Sequence, residues 1–190
     1  KYDQPGLADL VTRACAAAMG EPPDGVTPLR TDGNHMAYVV AHGDRQYLFR
    51  ADDGADDDYL IAESHIMTMA RRHGLPVPEV HHTDVTRRVF PCRFQLVAYC
   101  PEPSLNVHHR AGTLDGGRIA AQLGPILRRL HATRLAGFGF VNTATLIDSG
   151  DVVGLDRHYP DYVRKRLADH LGYVRDHGLL STRDADAAGD

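Results

Sequence analysis

A mixed α+β fold with a mostly antiparallel sheet is what this sequence predicts, on three observations. Segments of helical and strand-like periodicity come in blocks (helix, strands, helix, strands, then helices) and not in the strict alternation that builds a parallel sheet. Short turns rich in Asp, Asn and Gly join neighbouring strand-like runs, as antiparallel hairpins require. The 190 residues are 43% hydrophobic, enough for a real core in one domain or little more.

The elements follow in order. Leu7, Leu10, Val11, Ala14 and Ala18 share one stripe, so Leu7 to Met19 predicts an amphipathic helix, which Glu21-Pro22-Pro23-Asp24-Gly25 stops. Val26 to Arg50 predicts three strands. Val26-Thr27-Pro28-Leu29 leads into the turn-rich Thr31-Asp32-Gly33-Asn34, Met36 to Ala41 follows, and His42-Gly43-Asp44 turns the chain into Gln46 to Arg50. Asp52, Asp53, Asp56, Asp57 and Asp58 read as a solvated acidic loop favouring the N-terminus of the next helix. That helix, Asp58 to His73, places Tyr59, Ile66, Met67 and Ala70 on its buried stripe, with Glu63 within it.

Pro76 and Pro78 force their predecessors into extended geometry, so the helix cannot pass Gly74. Strands are predicted over Val77 to His82 and Phe94 to Tyr99, with a turn at Thr86-Arg87-Arg88. From Asp115 to His131, Ile119, Leu123, Ile126, Leu127 and Leu130 mark another amphipathic helix, which Pro125 either kinks or starts. His131 closes that stripe and reads as a buried structural histidine. Tyr159 to His177 predicts one last helix, with Arg164, Lys165 and Arg166 on a solvated face.

Composition narrows the function. A net charge of −4 argues against a sequence-independent nucleic-acid binder, which needs a basic face. Cys15, Cys92 and Cys100 are an odd count without metal-ligand spacing, which favours a reduced, cytoplasmic setting. No apolar run reaches membrane-spanning length and no signal peptide is recognised, so no membrane partner is expected. Neighbouring residues on a strand point apart, so His81-His82 and His108-His109 do not predict a metal site. No Gly-x-Ser-x-Gly elbow occurs, and hydrolase chemistry has no support.

The chemistry concentrates on Arg50 and Glu63. A carboxylate on an apolar helical stripe is costly unless a cation meets it, and Arg50, ending a strand thirteen residues upstream, is the nearest candidate. A guanidinium suits bidentate pairing with a carboxylate. The alternative is a Glu63 that snorkels at the edge of the stripe beside a solvated Arg50.

With these residues in place, the chain resembles the aminoglycoside phosphotransferase-like kinases, small-molecule antibiotic kinases, over about Val26 to Leu180. Thr31 to Val40 looks like the family's nucleotide-covering hairpin, Tyr47-Leu48-Phe49-Arg50 its third strand, and Glu63 the partner acid. Gly74-Leu75-Pro76-Val77-Pro78 matches the Gly-x-Pro-Val-Pro that follows the helix. Phe94 to Pro101 resembles the strand and hinge, Leu130-His131 the end of the next helix, and Gly137-Phe138-Gly139 a downstream turn.

The resemblance implies a protein-kinase-like fold in three parts. These are an N-terminal helix (residues 1–25), an antiparallel-sheet, nucleotide-binding lobe (26–100), and the hinge with the first helices of a second lobe (101–190). It implies nucleotide binding by Gly33, Asn34, Arg50, Glu63, Val97, Ala98 and Cys100, with adenine read by hinge main-chain groups. Glu102 stands where the family often has glycine after the hinge.

The reaction implied is transfer of a phosphoryl group from ATP or GTP, with Mg2+, to a hydroxyl of a small, often cationic acceptor, most of all an aminoglycoside-type antibiotic. A choline, homoserine or fructosamine kinase relative, or a non-catalytic nucleotide-binding module, are the alternatives. The family's His-Gly-Asp, Asn and second Asp supply base and metal ligands. His42-Gly43-Asp44 has the first three letters, but Phe49 stands where Asn is needed, and the segment reads as a hairpin turn. Ile147-Asp148-Ser149 reads as part of a loop. The catalytic Asp and Asn and the metal ligands are therefore expected beyond Asp190, and the chain by itself is expected to bind nucleotide poorly and to be inactive.

Overall fold

The structure, a computed structural model, describes residues 6–30, 36–52, 57–179, 181, 183 and 184. They fall in two compact units, residues 1–133 and 134–190.

In the first unit, helix α1 (Leu7–Met19) buries Leu7, Val11, Ala14 and Cys15 along one stripe. Gly20, with φ 86°, closes it, its N–H donating to the Ala16 carbonyl at 2.9 Å. Strands β1 (Gly25–Pro28), β2 (Met36–His42) and β3 (Arg45–Asp52) then pair consecutively and antiparallel. Only Gly43 and Asp44 separate His42 from its partner Arg45. Gly43 has φ 56°, and its N–H donates to Asp24 Oδ2 at 2.7 Å.

Helix α2 (Asp57–Arg72) ends as the Gly-x-Pro-Val-Pro segment dictates. Gly74 takes φ 71°, its N–H reaching the Arg71 carbonyl and that of Leu75 the Ala70 carbonyl, a paired left-handed cap. Strands β4 (Val80–Asp84) and β5 (Arg93–Ala98) complete a five-stranded sheet of order β1-β2-β3-β5-β4, antiparallel at every pairing. The predicted strand from Val77 begins only at Val80, since Pro76 and Pro78 have no N–H to give a ladder.

Alternation along the strands makes two unlike faces. Tyr38, Val40, Phe49, Ala51, Phe94 and Leu96 join the buried face of α1 in one apolar core, where Phe49 stacks on Phe94 and meets Phe90 edge-on. The other face carries Ala37, Arg50, Gln95 and Thr83 side by side across four strands.

Helices α3 (Leu105–Arg110) and α4 (Gly116–Ala132) follow. Asp115 caps α4 by accepting from the Arg118 N–H at 2.9 Å. Pro125 lies inside α4 and does not start it. No α4 residue is buried: Leu123, Leu127 and Leu130 are 41, 46 and 47% exposed, and His131, expected in the core, is exposed. The Arg129 guanidinium nonetheless donates to the Gly74 carbonyl, joining α4 to the end of α2.

In the second unit, β6 (Phe138–Val141) pairs antiparallel with β7 (Gly154–Asp156) around α5 (Thr143–Ser149). The Gly137-Phe138-Gly139 turn has a steric cause. Gly137 has φ 78°, and a Cβ there would lie 2.8 Å from the Gly154 carbonyl oxygen. Ile147-Asp148-Ser149 ends α5, capped at its start by Asn142, and is helix and not loop. The single last helix is two, α6 (Tyr159–Arg164) and α7 (Leu167–Asp176). At the break Lys165 Nζ meets the buried carboxylate of Asp156 at 2.5 Å, so this lysine serves more than a solvated face.

Candidate functional site

The α2-facing row of the sheet is polar by register. Arg50 on β3 lies opposite Gln95 on β5, and Gln95 lies opposite Thr83 on β4. Above them α2 presents Leu60, Glu63 and Ser64, which the 3.6-residue period puts on one face.

Each polar group has a partner. The Arg50 Nη2 donates to Glu63 Oε2 and to Gln95 Oε1, and Arg50 Nε donates to the same Gln95 oxygen at 3.0 Å. Gln95, fully buried, donates through Nε2 to the Leu60 carbonyl at 3.1 Å and to Ser64 Oγ at 2.7 Å. Ser64 donates to the Leu60 carbonyl at 2.9 Å, and its oxygen lies 2.6 Å from Thr83 Oγ1.

Glu63 is thus an ion-pair partner and not a solvated edge residue. Arg50 and Glu63 side chains keep 22% and 27% of their exposure, so the pair is part-buried and still touches solvent. Two positions along, Arg93 and Asp52 make a second cross-strand ion pair at 2.6 Å.

This polar contact explains a misplaced stripe. Tyr59, expected inward, is 61% exposed, while Leu60 and Ala62 are the buried residues among those described in α2. Apolar spacing alone missed the orientation because the helix meets the sheet through Glu63 and Ser64. Gln95, Ser64 and Thr83 escaped the sequence reading altogether. A lone Gln between Phe94 and Leu96 was the available signal, of the same kind as Glu63 on its helix.

Val97 lies on the same face, opposite Leu48, and is buried. Ala98 gives its N–H to the Glu79 carbonyl at 2.8 Å, and Tyr99 donates to the Gln46 carbonyl at 3.2 Å, after which Cys100 is exposed. Gly33 and Asn34, with the rest of Thr31 to His35, lie outside the described residues, as do Asp53 and Asp56.

On the opposite face, a register shift between Val80 and His82 overturns the expectation that His81 and His82 point apart. Both line a cavity of about 250 Å³ with His42 and Tyr47. Among the described residues no group of three or more His, Cys, Asp or Glu side chains is placed to hold a metal ion. Burial pushes the Cys15 thiol from an ordinary 9.0 up to about 12. Among the described residues no helix is long and apolar enough to cross a membrane.

The fold has a counterpart among solved structures. It is similar to a thermostable mutant of aminoglycoside phosphotransferase APH(4)-Ia in a ternary complex with ADP and hygromycin B, at a TM-score of 0.57 and 18% identity. That likeness covers 90% of this chain and 55% of the other, so the chain spans about half the length of that protein. It shows the mixed α+β, kinase-like fold. No curated protein matches the chain. Residues 25–188 match the model of the phosphotransferase enzyme family, and the chain belongs to that family.

Proposed function

We propose that the protein is the nucleotide-binding part of an ATP- or GTP-dependent small-molecule kinase whose acceptor is a hydroxyl of an aminoglycoside-type antibiotic. The observation that carries this reading is the Arg50–Glu63 ion pair between β3 and α2, half-shielded and in a member of the phosphotransferase family. A fixed guanidinium that keeps part of its surface open to solvent can hold phosphate oxygens and offset charge as the phosphoryl group moves. The solved relative is a complex with ADP and hygromycin B, which favours a nucleotide and an antibiotic as ligands here too.

In this reading residues 1–25 are an N-terminal helix, 26–100 the nucleotide-binding lobe, and 101–190 the hinge and the first part of a second lobe. Gly33 and Asn34 cover the phosphates, and Val97 lines the adenine pocket. Because the Ala98 N–H is engaged by Glu79, adenine is read through the Ala98 carbonyl and the Cys100 N–H. Magnesium is held by one or two carboxylates together with the nucleotide's phosphates. Its ligands, and the Asp that accepts the acceptor's proton, belong to a segment expected beyond Asp190. An enzyme drawing on ATP or GTP would work in the cytoplasm.

The test is titration of the full-length protein with ATP and with GTP, followed by phosphoryl transfer from labelled nucleotide to a panel of aminoglycosides. Saturable nucleotide binding that falls in Arg50→Ala is the expected result. No binding by the full-length protein, or binding indifferent to Arg50, overturns the reading.

A further inference from the structure

We infer that Gln95 is the positioning residue that fixes the Arg50 guanidinium, leaving only its Nη1 edge to a phosphate, so that lysine cannot replace arginine at this site. The inference rests on the nucleotide reading above for the identity of the anion, and on geometry for the rest.

The donors of Arg50 divide unequally. Nε and Nη2 both donate to one oxygen of Gln95, and Nη2 also donates to Glu63. Nη1 has no partner among the described residues. A guanidinium is planar, so fixing Nε and Nη2 fixes the direction of Nη1 as well.

Gln95 can impose this because it cannot itself turn. It is buried, and both hydrogens of its amide are engaged, by the Leu60 carbonyl and Ser64 Oγ. An amide flip would set its NH2 against the NH groups of Arg50 and its oxygen against the Leu60 carbonyl, so one orientation alone satisfies all partners. The same residue ties the sheet to α2, holding Glu63 and Arg50 in mutual reach.

A lysine at position 50 has a single ammonium at the end of a flexible stem. It cannot reproduce two donors converging on Gln95 Oε1 while holding a third in a fixed direction. An ammonium could give Gln95 Oε1 at most one donor in place of two, and its remaining donors would have no fixed direction.

The experiment has a ligand-free arm and a ligand arm. In the first, the Arg50 Nε–H is followed by 15N NMR in the chain without nucleotide. The structure requires a signal protected from exchange, lost in Gln95→Leu and weakened in Ser64→Ala, which removes one anchor and spares the core if Gln95→Leu fails to fold.

In the second arm, affinities for ATP and for adenosine are measured across the cycle of Arg50→Lys, Gln95→Leu and their double variant. A hydrogen bond to a charged group sets the scale, so each single change should lower ATP affinity by about ten-fold with adenosine unaltered. The double variant should lose no more than Arg50→Lys alone. An unchanged Nε–H signal in both Gln95→Leu and Ser64→Ala overturns the inference. So does a Gln95→Leu effect of equal size in Arg and Lys backgrounds, or an Arg50→Lys variant that binds ATP as well as the original. If the unsubstituted chain binds adenosine and ATP not at all, the nucleotide reading fails, and the Nε–H arm alone decides whether Gln95 positions Arg50.

Discussion

The five-stranded sheet and the helices that follow it use apolar residues in opposite ways. Phe49, Phe94, Leu96 and Tyr38 are sealed between the sheet and α1, whereas Leu123, Leu127 and Leu130 of α4 stand open on a helix with no buried residue. In the second unit only Leu146 and Asp156 are buried among the described residues. The difference teaches that, within this span of about half the related chain's length, the sheet carries its own cover on both faces, one apolar and one polar, and α4 does not. Amphipathic spacing states that a helix can be covered, and none of the described residues buries α4.

The sharpest way to break that comparison is to empty the core. Phe49→Ala should lower unfolding free energy by about 3–5 kcal/mol in urea titrations, since Phe49 touches Phe90, Phe94 and Tyr38 rings. The same truncation on α4, Leu127→Ala, should change it by no more than about 0.5 kcal/mol. Equal losses at the two sites would erase the contrast.

Next in size is Gly154→Ala. A Cβ there would sit 2.3 Å from the Phe138 nitrogen, so the β6–β7 pair must open. Amide exchange should quicken across Phe138–Val141 while β2, β3 and β5 stay protected. Loss of protection in the sheet would show that the two regions do not fold as separate units.

The polar face of the sheet gives a middle-sized effect. Glu63→Ala leaves the half-shielded Arg50 cation without its carboxylate and should cost about 1–3 kcal/mol. A Glu63→Ala variant as stable as the original would make the pair a surface contact of little consequence.

The smallest effect is tied to pH. The Cys15 thiol titrates near 12 in the folded chain against 9.0 when unfolded, so the unfolded state loses its proton first. Its contribution is whole below about pH 9.0 and is lost as pH rises from 9.0 towards about 12, a fall that Cys15→Ala should lessen. At pH 8 a thiol reagent should modify exposed Cys100 at once and reach Cys15 only on unfolding. Fast labelling of Cys15 would mean that α1 opens readily.

Much of this was legible in the residues. Helix α1 falls where its stripe put it, the three hairpin strands follow their turn residues, and Gly74 caps α2 because a proline two positions on forbids continuation. The Arg50–Glu63 pairing could be read from cost alone, since a charge on an apolar stripe asks for its opposite. These are local matters, decided by backbone geometry and by the spacing of apolar side chains over a few turns.

Other features have no local signature. The partner of Lys165 at the α6–α7 break, Asp156, belongs to another element, and the short strands β6 and β7 are recognisable only as a pair. The facing of His81 and His82 turns on a register shift against β5. Above all, the sequence by itself determined that Arg50 and Glu63 needed partners, while only the tertiary structure decided that Gln95, Ser64 and Thr83 join them. Cross-strand register and the seating of α2 choose those neighbours. Both are set by the whole sheet closing at once, which no window of sequence contains.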